Sequence, residues 1–131
     1  MYGFSPIGFV ETAETKVPRH WSVSDVKGRL VLDKAYEKGL CDIKPGDRII
    51  VLFVFHKSPA FEENLLVQKP PHKNRPMGVF SICSPIRPNP VGLSVLTVDK
   101  VENNVIHVTG IDMFDQTPII DIKPFITPEP D

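Results

Sequence analysis

Two polar clusters in the second half of this 131-residue chain have the composition of a binding or catalytic site. The first is Ser84-Pro85-Ile86-Arg87-Pro88-Asn89-Pro90-Val91-Gly92-Leu93-Ser94. Its three prolines each fix φ and hold the residue before them extended, so Arg87 and Asn89 sit on a stiff support. A guanidinium and an amide presented that way suit a carboxylate, a phosphate or a base edge. A tight turn that leaves Arg87 solvated is the structural alternative. The second cluster is Asp112-Met113-Phe114-Asp115-Gln116-Thr117-Pro118, continued by Ile119-Ile120-Asp121-Ile122-Lys123-Pro124-Phe125. Here Asp112, Asp115, Asp121 and Lys123 frame a short strand. Carboxylates this close can bind a ribose diol, act as a base or coordinate a metal, whereas turn capping by Asp112 and Asp115 is the structural alternative.

Other reactive side chains narrow the chemistry. His20, His56, His72 and His107 show no zinc-ligand spacing, so no metal is expected. His107 falls mid-hairpin, where a surface position is expected; for His56, after the most apolar strand, a structural imidazole and a ligand contact both stay open. Cys41 and Cys83 are too few and too distant for a disulfide framework, which points to a reducing compartment, the cytoplasm. No activating partner marks Cys83 as a nucleophile. No strand-associated G-x-G-x-x-G occurs, so a doubly wound dinucleotide-type fold is not expected.

The elements that must position these groups read as mainly β. Fourteen prolines limit helix. Short β-branched stretches at 7–10, 29–32, 48–55, 77–82, 94–101, 105–111 and 119–122 predict seven strands, in a barrel or a sandwich. Leu96-Thr97-Val98 and Ile106-His107-Val108 alternate apolar with polar around Glu102-Asn103-Asn104, which predicts a hairpin with one buried face. One short helix is predicted over 33–40, with Asp33 as N-cap and Gly39 as its stop. Residues 57–75 read as a long proline-rich functional loop ending in the basic His72-Lys73-Asn74-Arg75, and 124–131 as an extended terminus. Length and ordinary composition predict a single domain over 1–131. A net charge of -1 gives no general attraction for a polyanion, so nucleic-acid binding would need a local basic patch. The longest apolar run, 49–55, is too short to span a bilayer, and no leader-like segment opens the chain, so no membrane association is expected.

The string RPMGVFSICSPIRPNPVGLS, residues 75–94, together with GIDMFDQTPIIDIKPF, residues 110–125, closely resembles the signature of the TsaA/TrmO-like proteins. Pro18-Arg19-His20, Tyr36-Glu37-Lys38-Gly39-Leu40 and Phe55-His56-Lys57-Ser58 extend the likeness in the right order over nearly the whole chain. The resemblance implies a small β-barrel methyltransferase that uses S-adenosyl-L-methionine and acts on threonylcarbamoyl-adenosine beside the tRNA anticodon, usually as a homodimer. Many bacterial members continue into a C-terminal domain, which this chain is expected to lack. A dimer would then build an RNA groove from two copies of the 69–75 loop.

By the same resemblance, cofactor contacts fall to Pro18, Arg19, His20, His56, Lys57, Cys83, Leu93, Asp112, Met113, Phe114 and Asp115. Arg19 would meet the cofactor carboxylate, the aspartates a ribose diol or ammonium, and Leu93, Met113 and Phe114 the adenine. Methyl transfer needs alignment of acceptor and methyl group, helped by removal of the acceptor's proton. Asp115 or Asp121 is the candidate base, with Asn89, Arg87, Arg75 and Lys123 orienting substrate. The family commonly has arginine where Cys83 stands, glycine where Gln116 stands, and often glutamine in place of His20. Cys83 cannot replace a guanidinium, so Arg75 or Arg87 fills that role or the substrate differs. The rival expectations are a methyltransferase for a small molecule and a non-catalytic S-adenosylmethionine-binding module.

Overall fold

The computed structural model describes residues 1–129, so the last two residues of the predicted extended terminus lie outside the described residues. It separates into two compact units, Met1–Phe53 with Leu93–Asp131, and Val54–Gly92. The first unit is built on a closed six-stranded barrel in the order β1-β2-β7-β6-β3-β8. Its strands are β1 (Gly8–Glu11), β2 (Lys27–Leu32), β3 (Arg48–Val54), β6 (Val91–Glu102), β7 (Val105–Thr109) and β8 (Pro118–Pro124). The second unit contains the two-stranded pair β4 (Val67–Gln68) and β5 (Met77–Gly78).

Period-two patterning closes the barrel. Ile49, Val51 and Phe53 on β3 are buried while their neighbours are less so, and the same alternation holds for Ile106 and Val108 on β7. Antiparallel register places Val10 opposite Leu30 and Leu30 opposite Ile106, so one fully buried layer runs across three strands. Each such side chain contributes about 1.5–3 kcal/mol by leaving water. Outside the barrel, Glu11 lies directly across from Arg29, and the guanidinium Nε is 2.9 Å from the carboxylate. The β6–β7 hairpin pairs Glu102 with Val105 around Asn103-Asn104, and Asn103 takes the left-handed φ of 53° that asparagine tolerates. The Asn104 side chain then donates to Leu32 O at 2.6 Å, which ties the turn to β2.

The predicted short helix forms as a 3₁₀ run, Lys34–Leu40, capped by Asp33, which accepts from the Ala35 amide at 3.0 Å; the predicted stop differs, since Gly39 lies inside the run and Cys41 follows its end. Only Leu40 of that segment is buried, so no apolar face exists to reward a longer α-helix. The 77–82 stretch pairs only at Met77–Gly78 and then tightens into a 3₁₀ turn, Val79–Ser81, in which Val79 alone is buried. The 57–75 loop contains β4 and a 3₁₀ turn, Glu63–Leu66. No helix among the described residues is long and apolar enough to cross a membrane.

The three-strand layer predicts that Ile106→Ala destabilises the barrel by about 2–5 kcal/mol through lost burial and a cavity. Urea unfolding followed by circular dichroism reads this directly; a loss under about 1 kcal/mol would mean the layer is not a packed core.

Candidate functional site

In the first unit the chain after β7 is fixed before it reaches Asp112. Gly110 turns it with φ 113°, and the amides of Gly110 and Ile111 both donate to Val26 O, at 2.9 and 3.0 Å. Ser24 Oγ donates to Ile111 O, and the fully buried Ile111 packs on Gly28, where a Cβ would come within 2.9 Å of Ile111 Cγ1. Only glycine admits this approach. Asp112 therefore arrives half-buried on a rigid base.

Its carboxylate is held by the fully buried Ser94 of β6, which donates to Oδ1 at 2.6 Å. Burial pushes the Asp112 carboxyl above its ordinary range, opposed by the Ser94 hydrogen bond, the charge of His20 and the Trp21 amide. His20 caps the 3₁₀ turn Trp21–Val23: its Nδ1 accepts from the Ser22 amide at 3.3 Å and lies 2.7 Å from Ser22 Oγ. That geometry assigns the ring proton of the neutral form to Nε2. The structure thus brings the Pro18-Arg19-His20 turn and Asp112 together. Arg19 is exposed and makes no hydrogen bond or ion pair among the described residues.

The rest of the 112–118 loop divides between core and surface. Met113 is 3% exposed and belongs to the core, so its side chain does not offer the adenine surface predicted for it. Leu93 and Phe114, at 50% and 46%, do present apolar surface. Asp115 is exposed, with Oδ1 accepting from the Thr12 amide at 3.0 Å. Gln116 carries a left-handed φ of 68° while its backbone amide donates to Val10 O, a conformation that glycine adopts with less strain. Thr117, buried, closes the turn on Phe114 O at 2.7 Å. On β8, Asp121 Oδ1 accepts the Ile122 amide and Oδ2 lies 3.3 Å from Lys123 Nζ. A register shift at Leu52/Phe53 of the β3–β8 ladder places Ile120 as the extra residue beside Asp121, and such bulges re-aim side chains.

The second unit holds the other predicted residues. Arg87 is neither solvated nor free for a ligand at Nη1, which donates to Ile82 O at 3.0 Å and Ser84 O at 3.1 Å. Gln68, which no sequence motif singles out, fastens the same turn by donating to Leu65 O and Ile86 O at 2.7 and 2.8 Å. The proline-rich turn is thereby stiffened by side chains as well as by its rings. Arg75, Cys83, Asn89, His56 and Lys57 are exposed, and the Cys83 thiol is free. Among the described residues no three His, Cys, Asp or Glu side chains are grouped to hold a metal.

Sequence reasoning missed Ser94. The available signal was parity: it shares the inward face of β6 with Leu96 and Val98, and a hydroxyl at an inward position implies a buried partner.

Folding raises the Asp112 carboxyl, so ionising it costs stability; the cost is absent below the pH where the unfolded group titrates and complete above the native value. Asp112→Asn keeps an oxygen for Ser94 and is predicted to melt at or above the parent Tm at pH 7. The difference should vanish as pH falls toward about 4. A variant melting several degrees below the parent at pH 7 would contradict this account.

A profile of the tRNA-methyltransferase O N-terminal domain matches residues 10–129. A probable S-adenosyl-L-methionine-binding protein of Methanocaldococcus jannaschii is 38% identical over 128 residues, 95% of this chain and 93% of that protein. A tRNA (adenine(37)-N6)-methyltransferase of Mus musculus is 36% identical over 129 residues, 92% of this chain but 30% of that protein. The crystal structure of TrmO from Pseudomonas aeruginosa matches with a TM-score of 0.76 at 26% identity, covering 96% of this chain and 56% of that one. The chain thus spans 30% of the length of the mouse relative and nearly all of the archaeal one. With the profile covering most of the barrel and the Asp112 loop, the chain belongs to the tRNA-methyltransferase O N-terminal domain family.

Proposed function

We propose that this chain is an S-adenosyl-L-methionine-dependent methyltransferase acting on the exocyclic N6 of threonylcarbamoyl-adenosine next to the tRNA anticodon. The observation that carries the reading is Asp112, a half-buried carboxylate fixed by Ser94 and close to the His20 turn, which also carries the exposed Arg19. Relatives named as S-adenosyl-L-methionine-binding proteins and as tRNA adenine-N6 methyltransferases support it.

The residues present fit such a cofactor. A partly desolvated carboxylate suits a ribose diol or an ammonium, Arg19 suits a carboxylate, and the exposed Leu93 and Phe114 suit an adenine face. When bound, the cofactor supplies an electrophilic methyl group. The chain's own residues then have to orient the acceptor nitrogen and take its proton. Asp115 is the better base: Oδ1 is fixed by the Thr12 amide and Oδ2 has no partner among the described residues, whereas both oxygens of Asp121 are engaged. The Asp121–Lys123 pair is assigned to orienting substrate. In the second unit, the exposed Arg75, Asn89 and the basic 69–75 segment are assigned to RNA. The resemblance also gives cofactor contacts to His56, Lys57 and Cys83; the reading of the first unit does not depend on them.

Two exposed free thiols, Cys41 and Cys83, favour the cytoplasm as the working compartment. A homodimer is the assembly we assign, supported by the exposed Phe80, Val67 and Leu66 on the second unit. A small-molecule methyltransferase remains the second reading, favoured by Cys83 where related sequences carry arginine.

Incubation with methyl-labelled S-adenosylmethionine and tRNA pools with and without threonylcarbamoyl modification tests the proposal. Label is expected in the modified adenosine after nuclease digestion; absence of label from both pools would overturn the RNA reading. In single-turnover assays Asp115→Asn is expected to lower the rate by about 10²-fold or more with cofactor affinity retained. An unchanged rate would remove Asp115 from the mechanism.

A further inference from the structure

Beside Asp112 the first unit carries a strip of flat groups that the cofactor reading does not use. Trp21 follows His20, and their rings lie 5.0 Å apart at 35°. The Arg48 guanidinium lies over two aromatic rings, 5.9 Å from the Trp21 centroid and 4.7 Å from that of Phe125. Local chain geometry builds this stack. The β3–β8 ladder pairs Ile49 with Pro124, and the Phe125 amide donates to Arg48 O at 3.2 Å, so Arg48 and Phe125 emerge side by side. Trp21 is fixed from the other direction, as the first residue of the 3₁₀ turn that His20 caps and that the Ser24 amide closes on Trp21 O at 3.1 Å.

The chemistry of the strip is specific. Arg48 is exposed, and its guanidinium makes no hydrogen bond or ion pair among the described residues, leaving a planar fork of N–H donors open. Phe125 is 36% exposed, and Val23 and Ile126 add apolar surface nearby in sequence. A ring face next to an open guanidinium fork complements a nucleotide: the base stacks on the ring and the phosphate takes the fork. A base inside a duplex has no face to offer, so the occupant is an unpaired nucleotide. With a net charge of -1, the molecule has no general attraction for RNA, and a local device of this kind is what binding would require.

We propose that Trp21, Arg48 and Phe125 form a stacking subsite for an unpaired RNA nucleotide flanking the methylated adenosine. The inference rests on the methyltransferase reading above and adds to it the surface that selects single-stranded RNA. Arg48 and the two rings act as substrate-positioning groups, distinct from the Asp112 carboxylate.

Trp21 is the sole tryptophan of the chain, so its fluorescence reports on this subsite alone. The test titrates a synthetic anticodon stem-loop into the full chain saturated with S-adenosylhomocysteine, so that cofactor binding does not move the signal. Quenching is expected, with affinity reduced about 10-fold in Arg48→Met and in Phe125→Leu and partly retained in Arg48→Lys. Arg48→Met should also flatten the salt dependence of binding by roughly one phosphate contact, a change that loss of a purely structural stack would not cause. In methylation assays the same variant should raise KM with kcat little altered. If the parent chain methylates the stem-loop but Arg48→Met binds it equally well with an unchanged salt slope, the subsite is refuted while the methyltransferase reading stands. If the parent neither binds nor methylates the RNA, both fall together.

Discussion

The hydrogen bond from Ser94 Oγ to Asp112 Oδ1 links the barrel to the candidate site. Ser94 is fully buried on the inward face of β6, and Asp112 sits on a loop that the Val26 carbonyl, the Ser24 hydroxyl and the Ile111–Gly28 contact hold in place. A carboxylate placed there resists ionisation, and a fold selected only for stability would gain by exchanging it. Retaining it is consistent with a ligand whose hydroxyl or ammonium completes its shell. The His20 turn and Trp21 lie close to that carboxylate, and Leu93 and Phe114 are exposed on the strand and loop that carry Ser94 and Asp112.

The barrel was legible in the sequence because period-two patterning is strong where a strand has one buried face. The β3 and β7 alternation and the Asn103-Asn104 turn left clear signals. Where few residues are buried the pattern carries little. The 33–40 segment buries Leu40 alone and forms a 3₁₀ run, and the 77–82 stretch buries Val79 and turns after one pairing step. β4, two residues long, has no periodicity to detect.

The site was legible through its motifs and not through its partners. Asp112, Asp115 and His20 could be selected by type and resemblance, but Ser94 became meaningful only once its inward position and the 2.6 Å contact were known. Arg87 and Met113 illustrate the converse: a guanidinium on a rigid turn can serve that turn, and a methionine in a site loop can serve the core. Gln116 holds a left-handed φ that favours glycine, a local strain that the loop's hydrogen bonds to Val10 O and Phe114 O sustain.

Calorimetric titration of S-adenosylmethionine into the parent chain and into Asp112→Ala decides whether this carboxylate holds the cofactor. Saturable binding is expected for the parent and affinity reduced about 10-fold or more in the variant, with its β circular-dichroism spectrum preserved. Equal affinity in the two proteins would contradict that role.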